Sequence, residues 1–160
     1  MNASDVLKYG HLTVMKTLEG FPESARGQSG ACGVWSVKDI IAHLASYELV
    51  LVDVLISFLE DDPTPYLGRF TELGPQFNEA EVAMRKECSF DEVLQEYVSA
   101  HERTMELIAR IPAETCRQTG TLPWYGDPYS LDDLLVYMYY GHKREHSAQI
   151  AAFRDRLRLG

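Results

Sequence analysis

The sequence predicts an all-α fold, a four-helix bundle in a single domain covering residues 1–160. Three observations carry that prediction. Apolar residues recur at steps of three and four along four long stretches, the repeat of a helix with one buried face. Strand-like alternation is scarce, and no internal repeat or low-complexity tract interrupts the pattern. A chain of 160 residues, 46% of them hydrophobic, suits one compact core and leaves little room for a second domain.

The first helix is expected over Ser4–Leu18, with Val6, Leu7, Val14 and Leu18 on its apolar side and Gly20 and Pro22 ending it. Residues 27–33 read as a glycine-rich loop. The second helix opens at Ser36, a good N-cap whose reciprocal partner is Asp39, and Val37, Ile41, Leu44, Leu51, Leu55 and Phe58 carry it to about Glu60. Pro63 and Pro65 close it. A third helical region is expected over Thr71–Ile111, broken near Ser89, which forms a capping box with Glu92. Phe90, Val93, Leu94, Tyr97, Thr104 and Ile108 share a face there, and Pro112 stops the helix. Residues 113–129 read as loop. The fourth helix starts at Ser130, with Asp133 as capping partner, and runs to about Leu157.

The informative residues are polar ones where the periodicity wants hydrocarbon. On a regular helical wheel, Leu131, Leu135, Met138 and Phe153 mark the apolar stripe of the fourth helix, and His142, His146 and Gln149 fall within it, with Glu145 at its edge. Burying such groups without partners is costly. Two histidines four apart on one helix point the same way, the spacing that offers two nitrogens to one metal ion. A third ligand must come from a facing helix, and His43, at the edge of the second helix's stripe, is the best candidate. Glu48 lies well inside that stripe and needs a cation or a hydrogen-bonding partner. Three imidazoles with open positions suit a catalytic zinc site, while nickel, iron or manganese also fit the ligand type. Of the other histidines, His101 is expected to be a satisfied core residue and His11 to lie on the surface. Trp35, Trp124, Tyr137, Tyr139 and Tyr140 read as packing.

The segment Trp35-Ser-Val-Lys-Asp-Ile-Ile-Ala-His43-Leu44 resembles the second-helix signature of DinB-like proteins, and Gly141-His-Lys-Arg-Glu-His-Ser-Ala-Gln-Ile150 resembles their fourth-helix signature. Phe77-Asn78 and the run Cys88 to Leu94 are similar to the branch that includes the ClbS/DfsB proteins. The resemblance spans nearly the whole chain. It implies an up-up-down-down bundle, a divalent metal, zinc or nickel foremost, held by His43, His142 and His146, and often a homodimer. Relatives of this kind include transferases and isomerases that use a low-molecular-weight thiol, and a hydrolase that opens a cyclopropane.

Composition narrows the function. A formal net charge of -9 argues against nucleic acid as a partner. The one basic concentration, Lys143, Arg144, Arg154, Arg156 and Arg158, reads as cations near a helix C-terminus. No run of about 18 uninterrupted apolar residues marks a membrane span, and the residues after Met1 carry no export signal, so a cytoplasmic location is expected. The three widely spaced cysteines, Cys32, Cys88 and Cys116, suit reduced thiols. The leading expectation is a metal-dependent enzyme acting on a small molecule, a thiol S-transferase or hydrolase of the stress or detoxification type. Glu48 or Glu145 would be its general base, or would orient a ligand imidazole, and Gln149 and Asn78 would position substrate or cofactor. The alternatives are a non-catalytic bundle that sequesters a small molecule or metal, and a hydrogen-bonded polar patch with no metal.

Overall fold

The computed structural model describes residues 1–159, and the described residues contain no β-strand. Four long helices form the framework: α1 (Ala3–Leu18), α2 (Val37–Leu59), α5 (Phe90–Ile108) and α8 (Gly141–Leu159). Between α2 and α5 lie α3 (Pro65–Leu73) and α4 (Phe77–Met84), and between α5 and α8 lie α6 (Ala113–Arg117) and α7 (Leu131–Leu134). The capping boxes read from the sequence are formed at Ser36/Asp39, Ser89/Glu92 and Ser130/Asp133.

The third helical region differs from its expectation. Pro65 does not close α2 but occupies the first turn of α3, where its missing N–H costs nothing. Gly74, at φ +54, and Pro75 then break the chain before α4. Residues 113–117 of the expected loop form the short α6. By length and composition α2 could cross a membrane, a reading its interrupting charges had discouraged, yet most of it is buried inside the fold.

Side-chain pairings set the helix directions. His43 meets His142, while the Tyr139 hydroxyl donates to the Tyr47 carbonyl, so α2 and α8 run antiparallel. Glu48 meets Thr104 and Glu60 meets Arg110, so α2 and α5 run parallel. Gly10 packs on Tyr140 and Lys143, and Arg154 donates to the Thr17 carbonyl, so α1 parallels α8. In chain order the helices run up, down, down, up, which corrects the up-up-down-down order that the resemblance implies. The physical reason lies in the connections. The one long crossover, carrying α3 and α4, joins α2 to α5 and returns the chain to the end where α2 began.

The core is apolar at both ends and polar in the middle. One cluster gathers Leu7, Leu51, Leu55, Leu107, Leu131 and Leu135, and the other Val14, Ile40, Leu44, Tyr97 and Ile150. Between them each long helix contributes a polar residue: His11, Glu48, His101 with Thr104, and Lys143. The Lys143 ammonium pairs with the fully buried Glu48 carboxylate, which also accepts from the Thr104 hydroxyl at 2.9 Å. Burial alone would raise the Glu48 carboxyl, but the Lys143 charge and hydrogen bond hold it below its ordinary value. His101 is buried as expected, but it is not the satisfied residue that was expected, since its Nδ1 has no hydrogen-bond partner. His11 is not a surface residue: its ring stacks on His101 at 3.8 Å, and its Nδ1 lies 3.1 Å from the Tyr97 hydroxyl.

Burial, reinforced by Lys143, lowers His11 to about 4, and burial does the same to His101 against the opposing Glu48 charge. The unfolded chain binds these protons more readily than the fold does. Their contribution to stability is therefore complete above about pH 6.5 and is lost as pH falls toward 4. Thermal denaturation of the metal-free protein, followed by circular dichroism, is expected to show a falling midpoint across that window. A His11→Asn/His101→Asn variant should show a flatter profile, and an equally steep one would refute the assignment.

Candidate metal centre

α8 does not continue straight from α7. Residues Leu135–Tyr140 form a six-residue π-helical segment. Its wider turn advances each residue by roughly 20° less than an α-helix, a lag of about 100° over the segment. The lag has a definite consequence. It carries Lys143, off the stripe on a regular wheel, into the core beside Leu131 and Leu135. It turns His142 and His146 away from that core, toward the groove between α8 and α2. Gly141 follows the segment directly, and a Cβ there would lie 3.3 Å from the Val136 carbonyl oxygen.

In that groove the three sequence-predicted histidines come together. His43 Nε2 lies 3.0 Å from His142 Nε2, and His146 Nε2 lies 2.9 Å from it. One ligand atom from each of the three falls within 4.8 Å of the others. Tetrahedral nitrogen ligands at about 2.05 Å from zinc stand roughly 3.3 Å apart, so seating an ion would open the two short separations by a few tenths of an ångström and draw His43 and His146 to a matching separation.

Proton counting favours a cation. The His146 Nδ1 lies 2.7 Å from Gln149 Oε1, which can only accept, so Nδ1 carries the proton and Nε2 is bare. The His142 Nε2, touching two such nitrogens, can donate well to one of them or accept from one. An extra proton is disfavoured. Burial, reinforced by the neighbouring imidazoles, pushes His43 down to about 2 and His142 to about 3, and burial lowers His146 against the opposing Gln149 hydrogen bond. Three neutral imidazoles with converging ring nitrogens are a donor set that fits a divalent metal.

The supports differ between ligands. Gln149, read from the sequence as a substrate contact, instead orients His146 through the bond to Nδ1. His43 has a buried Nδ1 without a hydrogen-bond partner and is held by packing, with the Trp35 ring 5.0 Å and the Tyr47 ring 4.5 Å from its own. A tight turn places Trp35 there, its N–H donating to the Cys32 carbonyl at 2.9 Å.

Glu48 does not face the histidines. It is committed to Lys143 and Thr104 in the polar layer. Glu145 does approach the triad: it lines an open cavity of about 370 Å³ with His142, Tyr47 and Tyr137. Asn78 lines a second cavity of about 350 Å³ with Tyr47, Phe70 and Trp124. Sequence reasoning missed Tyr47, whose ring joins both cavities, and Lys143. Tyr47 is four residues after His43 and so on the same helix face, a signal the sequence carried. The π segment that redirects Lys143 left none.

Comparison with curated proteins and with solved structures returns no match. The DinB superfamily profile matches residues 13–150, a span that holds all three histidines and both signature segments. That match over most of the chain, on a helical fold whose three histidines converge as a metal site requires, shows that the chain belongs to the DinB superfamily.

Proposed function

We propose that the protein is a divalent-metal-dependent enzyme acting on a small molecule, as a thiol S-transferase or a hydrolase. The observation that carries the reading is the convergence of the three Nε2 atoms beside an open cavity lined by His142 and Glu145. A metal there supplies a Lewis acid able to activate a nucleophile at neutral pH, with zinc or nickel the favoured ions. His43, His142 and His146 would hold it. Glu145, exposed at the cavity beside His142, is the group placed to take or return a proton. The geometry gives Glu48 a different part, fixing α8 against α2 rather than handling substrate. Gln149 keeps the His146 tautomer, and Asn78 stands in the wall of the adjoining cavity.

The test is metal content by plasma mass spectrometry on protein purified without a histidine tag, followed by turnover with thiol-acceptor and hydrolase substrate panels. Near-stoichiometric metal with turnover is the expected result. Metal without turnover on any panel would favour a sequestering protein. Neither metal nor uptake of added zinc or nickel would overturn the reading.

A further inference from the structure

The two cavities share one ring in their linings. Tyr47 lines both, and that ring stands 4.9 Å from the ring of His142. Aromatic contacts continue outward: Phe70 lies edge-on to Tyr47 at 5.6 Å, and Trp124 edge-on to Phe70 at 5.7 Å. A ligand with one end at the histidines and its body along this wall meets ring after ring. Each cavity, at 370 and 350 Å³, is within the size of small-molecule sites.

The charge of the lining is one-sided. Glu145 is the only acidic side chain among the residues lining either cavity, and neither lining contains Lys or Arg. The nearby cations are engaged elsewhere. Lys143 is buried against Glu48, and Arg69 pairs with Glu81. Ring faces carry partial negative charge and attract cations. An anionic body would lie along aromatic rings with no counter-charge, and the one nearby carboxylate, Glu145, stands in the cavity at the reactive end. An uncharged or cationic aromatic body would meet complementary surface throughout.

We infer that the substrate of this site is an aromatic small molecule whose body bears no negative charge, seated against Tyr47, Phe70 and Trp124 with its reactive end at the histidine triad. The inference rests on the proposed function for its reactive end alone. The residues of the wall do not depend on a metal, whereas a bound divalent ion would add positive charge at the reactive end. Phe70 and Trp124 thereby act in substrate selection, and Tyr47 joins the selecting wall to the reacting end.

Three probes sharing one ring system test it: 1-naphthylmethanol, 1-naphthylmethylammonium and 1-naphthalenesulfonate. Each is titrated calorimetrically into the full-length protein as purified, and again after metal removal with a chelator. The uncharged and cationic probes are expected to bind at least about 10-fold more tightly than the sulfonate in the metal-free form, where no cation stands at the histidines to draw the sulfonate. Trp124→Leu should erase most of that binding while zinc uptake and the circular dichroism spectrum stay unchanged, and Phe70→Leu should act in the same direction. Equal or tighter binding of the sulfonate by the metal-free form, or undiminished binding of the other two in both variants, would overturn the inference. Failure of zinc uptake with the probe order intact would sink the metal reading alone. Zinc uptake with the order reversed would sink the cleft alone.

Discussion

Replacing His142 with alanine is expected to abolish metal binding while leaving the helices standing. His142 is the middle ligand, within 3.0 Å of both other ring nitrogens, so its removal leaves His43 and His146 with no common partner. Loss of a supporting residue around a metal ligand typically costs 10–100-fold in affinity, and loss of the ligand itself should exceed about 100-fold. The Gln149→Leu variant provides the internal scale. It keeps all three imidazoles but frees the His146 tautomer, so its loss should stay within roughly 10–100-fold. Stability of the metal-free protein should change little with His142→Ala. The deleted ring faces a groove rather than the core, and its going relieves crowding of three neutral imidazoles. Zinc titration with circular dichroism on the same samples decides the matter. Unchanged zinc affinity in His142→Ala would mean that the histidine cluster is not the metal site.

The parts of this protein legible in the sequence share one property: they depend on local spacing. The three capping boxes could be read because an N-cap and its partner are three residues apart. The triad could be read because His142 and His146 keep the same face whatever the helix does upstream of them. What depended on accumulated rotation or on chain crossing was misread. The wheel placed His142 and His146 on one stripe with Leu131 and Leu135, and the π segment between them broke that continuity. The same error hid Lys143, whose neighbours on a regular helix would have been solvent. Helix direction was lost for a different reason. Pro63 and Pro65 marked the start of the α2–α5 connection and Ser89 its end, but nothing local says whether such a connection crosses the bundle or turns back. Glu48 lies between these cases: its burial could be read from periodicity, while its partner could not, because that partner arrives through the π segment.

That partner yields the largest expected effect on stability. Lys143→Met should destabilise the protein by about 3–5 kcal/mol, because it strips the fully buried Glu48 carboxylate of the one cation paired with it among the described residues. For a chain of this size the loss is a fall in midpoint on the order of 10 °C. The pH dependence should also flatten. In the parent, Glu48 sits below its ordinary value and the buried histidines lose stability on acidification. Without Lys143, burial would raise Glu48 above its unfolded value. Its contribution would then be present at low pH and lost as pH rises, opposing the acid loss from the histidines, so the variant's stability should fall less steeply between about pH 7.5 and 5 than the parent's. The Glu48→Leu/Lys143→Met double variant should recover most of the loss, since an apolar pair can replace a buried ion pair and the Thr104 hydroxyl still donates to the Ala100 carbonyl at 3.1 Å. Recovery of stability need not restore the metal site. The ion pair fixes how α8 is rotated against α2, and that rotation aims His142 and His146 at His43. The double variant is therefore expected to bind zinc about 10-fold more weakly than the parent despite its restored midpoint. Full recovery of both would make the pair a core filler. Recovery of stability alone would make it the element that couples the polar centre of the bundle to the geometry of the triad.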